Sequence, residues 1–222
     1  KGVDLMCIIV IKPAGQKVTK KILENCFENN SDGAGFMYPL QGQVQYQKGF
    51  MTFPEFWDAW SETRDKLSLN RHLVVFHFRI ATAGEVSPGQ CHPFPITSDI
   101  QKMQETQGQC NMAIAHNGIL LGWGQGDISD TMELVRDVLS LPAVQRTITY
   151  PKVQELITRY INGSKIAILQ GNGNLITLGE GWVEKKGLQF SNHGYKKPPK
   201  FNFEDLLFLE GEYSWERAWS CK

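Results

Sequence analysis

The 222-residue chain contains no apolar run near the roughly 20 residues that a membrane-spanning helix needs, and its first residues lack the apolar core of a secretory signal. The expectation is a cytoplasmic protein that does not enter a membrane. Neither charge is in excess: Lys and Arg together number 23, and so do Asp and Glu. With no overall field to recruit nucleic acid or an anionic lipid surface, the expected partner is a small molecule or another protein. Cysteine is sparse as well. Cys7, Cys26, Cys91, Cys110 and Cys221 form an odd set without a C-x-x-C pair, which argues against a disulfide framework and against structural zinc. Cys91-His92 could supply two metal ligands, but neighbours on a strand point to opposite faces, so reduced thiols and no metal are expected. The glycines of Asp32-Gly33-Ala34-Gly35 lack the following lysine of a phosphate-binding loop and read as a tight turn.

What the chain does have fits one globular domain. Met6-Cys7-Ile8-Ile9-Val10-Ile11 reads as a buried strand that begins at a thiol. Val18, Ile22, Leu23, Cys26 and Phe27 recur at helical spacing and predict an amphipathic helix over 17–27. Strands are predicted over 33–38 and 44–48, joined by a hairpin through Gln41-Gly42. Thr52-Phe53-Pro54-Glu55 has capping-box spacing and opens a helix whose Phe53, Phe56, Trp57 and Trp60 form a core-facing stripe. The run from Leu73 to Arg79 is a strand with His77 and Arg79 on one face and Val74, Phe76 and Phe78 on the other.

Residues 97–109 are polar and without apolar period, and are expected to form an exposed loop. A strand over 112–117 follows, then a helix opened by Ser129-Asp130-Thr131 with Leu134, Val135, Val138 and Leu139 on its apolar face, and another over 150–161. Strands over 165–170 and 175–178 flank Gly171-Asn172-Gly173-Asn174, and two more, over 182–185 and 188–191, flank Lys186-Gly187. Strands and helices without strict β-α-β alternation predict an α+β protein with antiparallel pairing. Beyond the Lys196-Lys197-Pro198-Pro199-Lys200 linker, the aromatic and acidic tail is too apolar for a disordered end; it is expected to pack on the domain or dock a partner.

Several residues carry chemistry. If maturation removes everything up to Met6, Cys7 holds both a nucleophilic thiol and a free α-amine able to act as its base; residues 1–6 are then a propeptide or a cloning remnant. Arg79 emerges at a strand end before small residues that let a ligand approach, although by itself an ordinary strand-end ion pair explains it better. Asn117-Gly118 sets a side-chain amide beside an unhindered backbone N–H, two donors suited to an oxyanion, while Asn-Gly alone is more often a turn. Asp130 stabilises its helix from the first turn or binds a ligand's ammonium group.

Taken in order, Met6-Cys7-Ile8-Ile9-Val10, Ser31-Asp32-Gly33-Ala34-Gly35-Phe36, His77-Phe78-Arg79-Ile80-Ala81-Thr82, His92-Pro93, Ala115-His116-Asn117-Gly118-Ile119 and Ser129-Asp130-Thr131 resemble the class II glutamine amidotransferases. This is an N-terminal-nucleophile family with a four-layer αββα sandwich, two antiparallel sheets between helical layers. The likeness covers roughly the first 140 residues; residues 7–195 would form the domain and 196–222 the tail. It implies Cys7 as nucleophile, Asn117 and Gly118 as oxyanion hole, Arg79 as partner of glutamine's α-carboxylate and Asp130 as partner of its α-ammonium. His77, Thr82 and His116 lie in the matched stretches as further pocket candidates. The implied substrate is glutamine or a related γ-glutamyl compound, with no cofactor or metal, and with ammonia passed to a separate synthase subunit or to solution. A stand-alone γ-glutamyl amidase and a catalytically silent glutamine-binding module are the alternatives. Where the family usually has glycine after the nucleophile and tryptophan after the arginine, this chain has Ile8 and Ile80.

Overall fold

Alternate residues of the first strand enter different cores. The computed structural model describes residues 6–81, 85–124 and 128–197. In it, β1 (Ile8–Lys12) is buried along its whole length. Ile8 and Val10 join one apolar cluster, and Ile9 and Ile11 another. A strand buried on both faces reads as a continuous apolar run, which is why 8–11 is legible as sheet interior.

The chain continues through α1 (Lys20–Asn29), β2 (Ala34–Leu40), β3 (Gln43–Phe50), α2 (Phe53–Lys66) and β4 (Val74–Phe78). Next come β5 (Phe94–Pro95), α3 (Ile100–Gln104), β6 (Gln107–Cys110), β7 (Met112–Asn117) and α4 (Asp130–Leu134). Helices α5 (Pro142–Thr147) and α6 (Pro151–Tyr160) precede β8 (Lys165–Gln170), β9 (Leu175–Leu178), β10 (Val183–Lys185) and β11 (Leu188–Phe190). Two antiparallel sheets result, one of seven strands ordered β10-β11-β1-β4-β2-β3-β6 and one of four ordered β5-β7-β8-β9. The protein is thus α+β, as its pattern predicts.

Three apolar clusters follow from the two-residue period. Ile8, Phe36, Phe76 and Phe78 pack outward against Leu23 and Phe27 of α1 and Phe56 and Trp60 of α2. Ile114, Ile166 and Ile168 pack outward on the other sheet against Met132, Leu134 and Ile157. Between the sheets lie Ile9, Met37 and Val75 on one side and Ala113, Ala115, Ala167 and Leu169 on the other. Alanine on the inner face of β7 and β8 lets the sheets approach.

The start of α2 also matches expectation: Thr52 and Glu55 form a reciprocal capping box and proline occupies the first turn. The first helix starts at Lys20, later than predicted, because Thr19 accepts the Ile22 N–H and caps it there. Residues 97–109 correct the sequence reading. Asp99 caps α3 through the N–H groups of Gln101 and Lys102, and β6 pairs with β3 at the sheet edge. An edge strand with one solvated face carries no apolar alternation, so its polarity imitated a loop. The helix opened by Ser129 passes at Val135 into a π-helical turn running to Leu139. Two lysines are buried unexpectedly. Lys12 donates to the carbonyls of Pro13, Gln16, Asn70 and His72, and Lys48 to those of Gly89 and Met103, so backbone oxygens replace their water. Among the described residues, no helix is long and apolar enough to cross a membrane.

Candidate functional site

β1 and β4 are neighbours, with Ile8 opposite Phe78. That register brings Cys7, just before β1, opposite Arg79, just after β4, and the Cys7 side chain reaches the following residue, Ile80. The Cys7 Sγ lies 3.4 Å from both the N–H and the carbonyl oxygen of Ile80, accepting from one and donating to the other. Burial pushes the thiol up to about 11, opposed by the Ile80 backbone contact and the Arg79 charge. Met6 is bonded to the Cys7 nitrogen, so in this form that nitrogen is an amide and not a base.

Arg79 is 4% exposed and donates from Nη1 to the Glu85 carbonyl at 2.9 Å. The glycine turn before β2 holds it from behind. The Arg79 N–H donates to Gly33 O at 2.8 Å, the Asp32 N–H donates to Arg79 O at 2.9 Å, and Asp32 Oδ2 accepts the Ala81 N–H at 2.8 Å. Gly33, at φ +117°, also leaves room for Cys91, whose Sγ would lie 2.3 Å from an added Cβ. The turn reading of 32–35 holds only at its start: Asp32-Gly33 bend and seat the Arg79 segment, while Ala34-Gly35 already pair with β3 and β4 as the beginning of β2.

The second sheet supplies the opposing wall. Asn117 ends β7 facing inward, with Nδ2 donating to Ser191 Oγ at 2.9 Å, while Ser191 Oγ also accepts the Ile9 N–H at 2.9 Å. The Asn117 Oδ1 is buried without a partner among the described residues. Gly118 follows at φ +146°, where an added Cβ would lie 2.1 Å from Ser164 Oγ. Asp130 opens α4 and is anchored by backbone. Its Oδ2 accepts the Leu120 N–H at 2.8 Å, and its Oδ1 accepts the Thr131 N–H at 2.6 Å and the Thr131 hydroxyl at 3.2 Å.

Cys7, Arg79, His116, Gly118 and Asp130 line one narrow cleft of about 20 Å³, space for little more than one water. Asn117 and His77 are not among its lining residues, and Thr82 lies outside the described residues. Residues that sequence reasoning did not assign complete the wall: Gln90, His92, Ser129 and Thr131. His92-Pro93 was visible as a motif without a role; Ser191 gave no local signal because only the β1–β11 pairing delivers it.

Three buried imidazoles cluster at the cleft, and two of them, His92 and His116, line it. The His77 and His92 rings are 4.2 Å apart, and His92 and His116 are 6.4 Å apart. His77 Nε2 meets the His116 carbonyl and His116 Nδ1 the Thr131 hydroxyl, both at 2.8 Å. Neither ring nitrogen of His92 has a hydrogen-bond partner among the described residues. Burial holds His77 down at about 3 and His116 at about 4, and depresses His92 well below the usual histidine range. All three are neutral at physiological pH. Among the described residues, no group of three or more His, Cys, Asp or Glu could hold a metal ion. No protein-family model matches the chain, and comparison with curated proteins finds no match.

Proposed function

We propose that the chain is a cysteine-dependent glutamine amidotransferase or glutaminase of the N-terminal-nucleophile kind, active when Cys7 is the first residue. The observation that carries this reading is the convergence of Cys7, Arg79, Gly118 and Asp130, from separate stretches of sequence, on one cleft. The two sheets with helices on their outer faces suit the αββα sandwich that the resemblance implies.

Each group has the chemistry of its role. A free α-amine, with a pKa near ~8, takes the Cys7 proton, and the thiolate attacks the γ-carboxamide carbon of glutamine. The carbonyl oxygen becomes an oxyanion facing the Gly118 N–H; Asn117 Nδ2 keeps one proton beyond the one held by Ser191, but it lies behind the cleft and would have to turn toward it to serve as the second donor. Collapse of the tetrahedral intermediate expels ammonia, which leaves with the proton held by the amine, and forms a γ-glutamyl thioester. Water then adds to the thioester and releases glutamate. The Arg79 guanidinium supplies positive charge for the substrate carboxylate, and the Asp130 carboxylate supplies negative charge for its ammonium. Ammonia goes to a separate synthase subunit or to solution.

The test is a chain with Cys7 verified as its first residue by intact mass. Equal yields of glutamate and ammonia from glutamine are expected, falling on the order of 10³-fold or more in Cys7→Ser. Arg79→Ala should raise KM for glutamine; an unchanged KM contradicts its carboxylate role. Turnover of other γ-glutamyl amides but not glutamine would mark a stand-alone amidase. The narrow cleft and the high thiol pKa favour, as second reading, a silent module with the same fold. A verified Cys7-first chain without turnover would favour it.

A further inference from the structure

Away from the cleft, α1 and the β10–β11 hairpin border a groove of about 420 Å³. Six lysines line it, Lys17, Lys21, Lys185, Lys186, Lys196 and Lys197, and all six are exposed. They are drawn from a chain with no net charge, so this concentration of one sign is local. Lys21 is paired with Glu24 at 2.9 Å. Among the described residues, no carboxylate lies within 4.0 Å of the other five. The floor is apolar: Ile22, Leu188, Phe190 and Tyr195. The Phe190 and Tyr195 rings lie 4.2 Å apart, tilted by 34°, and Lys185 Nζ lies 5.1 Å from the Tyr195 ring centre.

An apolar floor inside a cationic rim selects an occupant with apolar side chains and carboxylates together. The chain carries such a segment immediately beyond the rim. Residues 201–212, Phe-Asn-Phe-Glu-Asp-Leu-Leu-Phe-Leu-Glu-Gly-Glu, hold four carboxylates and no lysine or arginine among six large apolar side chains. Three residues, Pro198-Pro199-Lys200, separate this segment from Lys197. Phe201 is therefore held within about 14 Å of Lys197, and so short a tether maintains a local concentration on the order of millimolar.

We propose that residues 201–212 seat in this groove in the same molecule, with Phe and Leu side chains on the floor and Glu204, Asp205, Glu210 and Glu212 against the lysine rim. The groove is then an intramolecular docking site closed by the C-terminal segment, whatever chemistry the cleft performs.

Hydrogen exchange of the full chain at low salt tests it. Amides of 201–212 should exchange at least tenfold slower than unstructured peptide. The Lys21→Glu, Lys185→Glu, Lys186→Glu triple variant should lose that protection, and adding Glu204→Lys, Asp205→Lys and Glu210→Lys should restore it. Slow exchange in β1 and β7 verifies that each variant is folded. Exchange of 201–212 at the unprotected rate in the parent chain overturns the proposal and leaves the groove to an acidic partner. Protection that survives the lysine reversal places the segment elsewhere. Protection that disappears on dilution assigns the seat to a second copy. Each of these three results is incompatible with docking in cis.

Discussion

At the residue scale, Gly118 shows how a position can be demanded twice. Its φ of +146° disfavours any side chain, and the space where a Cβ would sit is taken by Ser164 Oγ at 2.1 Å, Cβ at 2.6 Å and Cα at 2.8 Å. Gly118→Ala should therefore cost about 2–3 kcal/mol in urea unfolding. Adding Ser164→Gly should recover only part, since the Cα and the backbone conformation remain; complete recovery would mean that crowding alone sets the requirement. Asn-Gly was visible in the sequence as a pair of donors. That Asn117 leans on Ser191, 74 residues later, was not, because nothing local to either residue records the other.

At the element scale, α2 is held from its ends. Thr52 and Glu55 each accept the other's backbone N–H, satisfying two amides that the first turn leaves without helical partners. Thr52→Ala should lower stability by about 1 kcal/mol while leaving the fold intact, and Thr52→Ser should retain most of it. Thermal denaturation of the pair checks this; equal loss in both would rule out the hydroxyl as the cause. This helix was legible because its signals are contiguous. Residues 97–109 were not, since β6 owes its existence to β3 alongside it and not to its own composition. The π-helical turn at Val135–Leu139 is a departure from the 3.6-residue period that apolar spacing does not announce.

At the scale of the whole molecule, the fold buries three histidines that no single element would bury alone. His77 comes from β4, His116 from β7 and His92 from the stretch just before β5, with Arg79, Lys48 and Asp130 as the charged neighbours that act on them. Their folded pKa values are depressed by burial, so below about 6.5 the unfolded chain binds more protons than the folded one. Stability from this cluster is full above pH about 6.5 and falls as pH drops toward the folded values of about 4 and about 3. Urea midpoints should therefore decrease between pH 6.5 and 5, before most carboxylates titrate. His92→Phe, beside Phe94 and His77, should flatten that decline, and an unchanged slope would remove His92 from the linkage.

The sequence by itself determined most of the strands, the longer helices with the Thr52 capping box and the Ser129 start, the hairpin turns and the residue types that make Cys7, Arg79, Asn117-Gly118 and Asp130 worth watching. These are local properties, set by steric preference and by the spacing of apolar side chains along one element. Only the tertiary structure decided that Cys7, Arg79, Gly118 and Asp130 line one cleft while Asn117 is held behind it, that Lys12 and Lys48 end among carbonyls, and that six scattered lysines form one rim. Those facts depend on strand pairings such as β1 with β11, which joins residues about 180 apart. Such pairings are selected by the burial of both faces at once, a property of the assembled sheets that no short stretch carries.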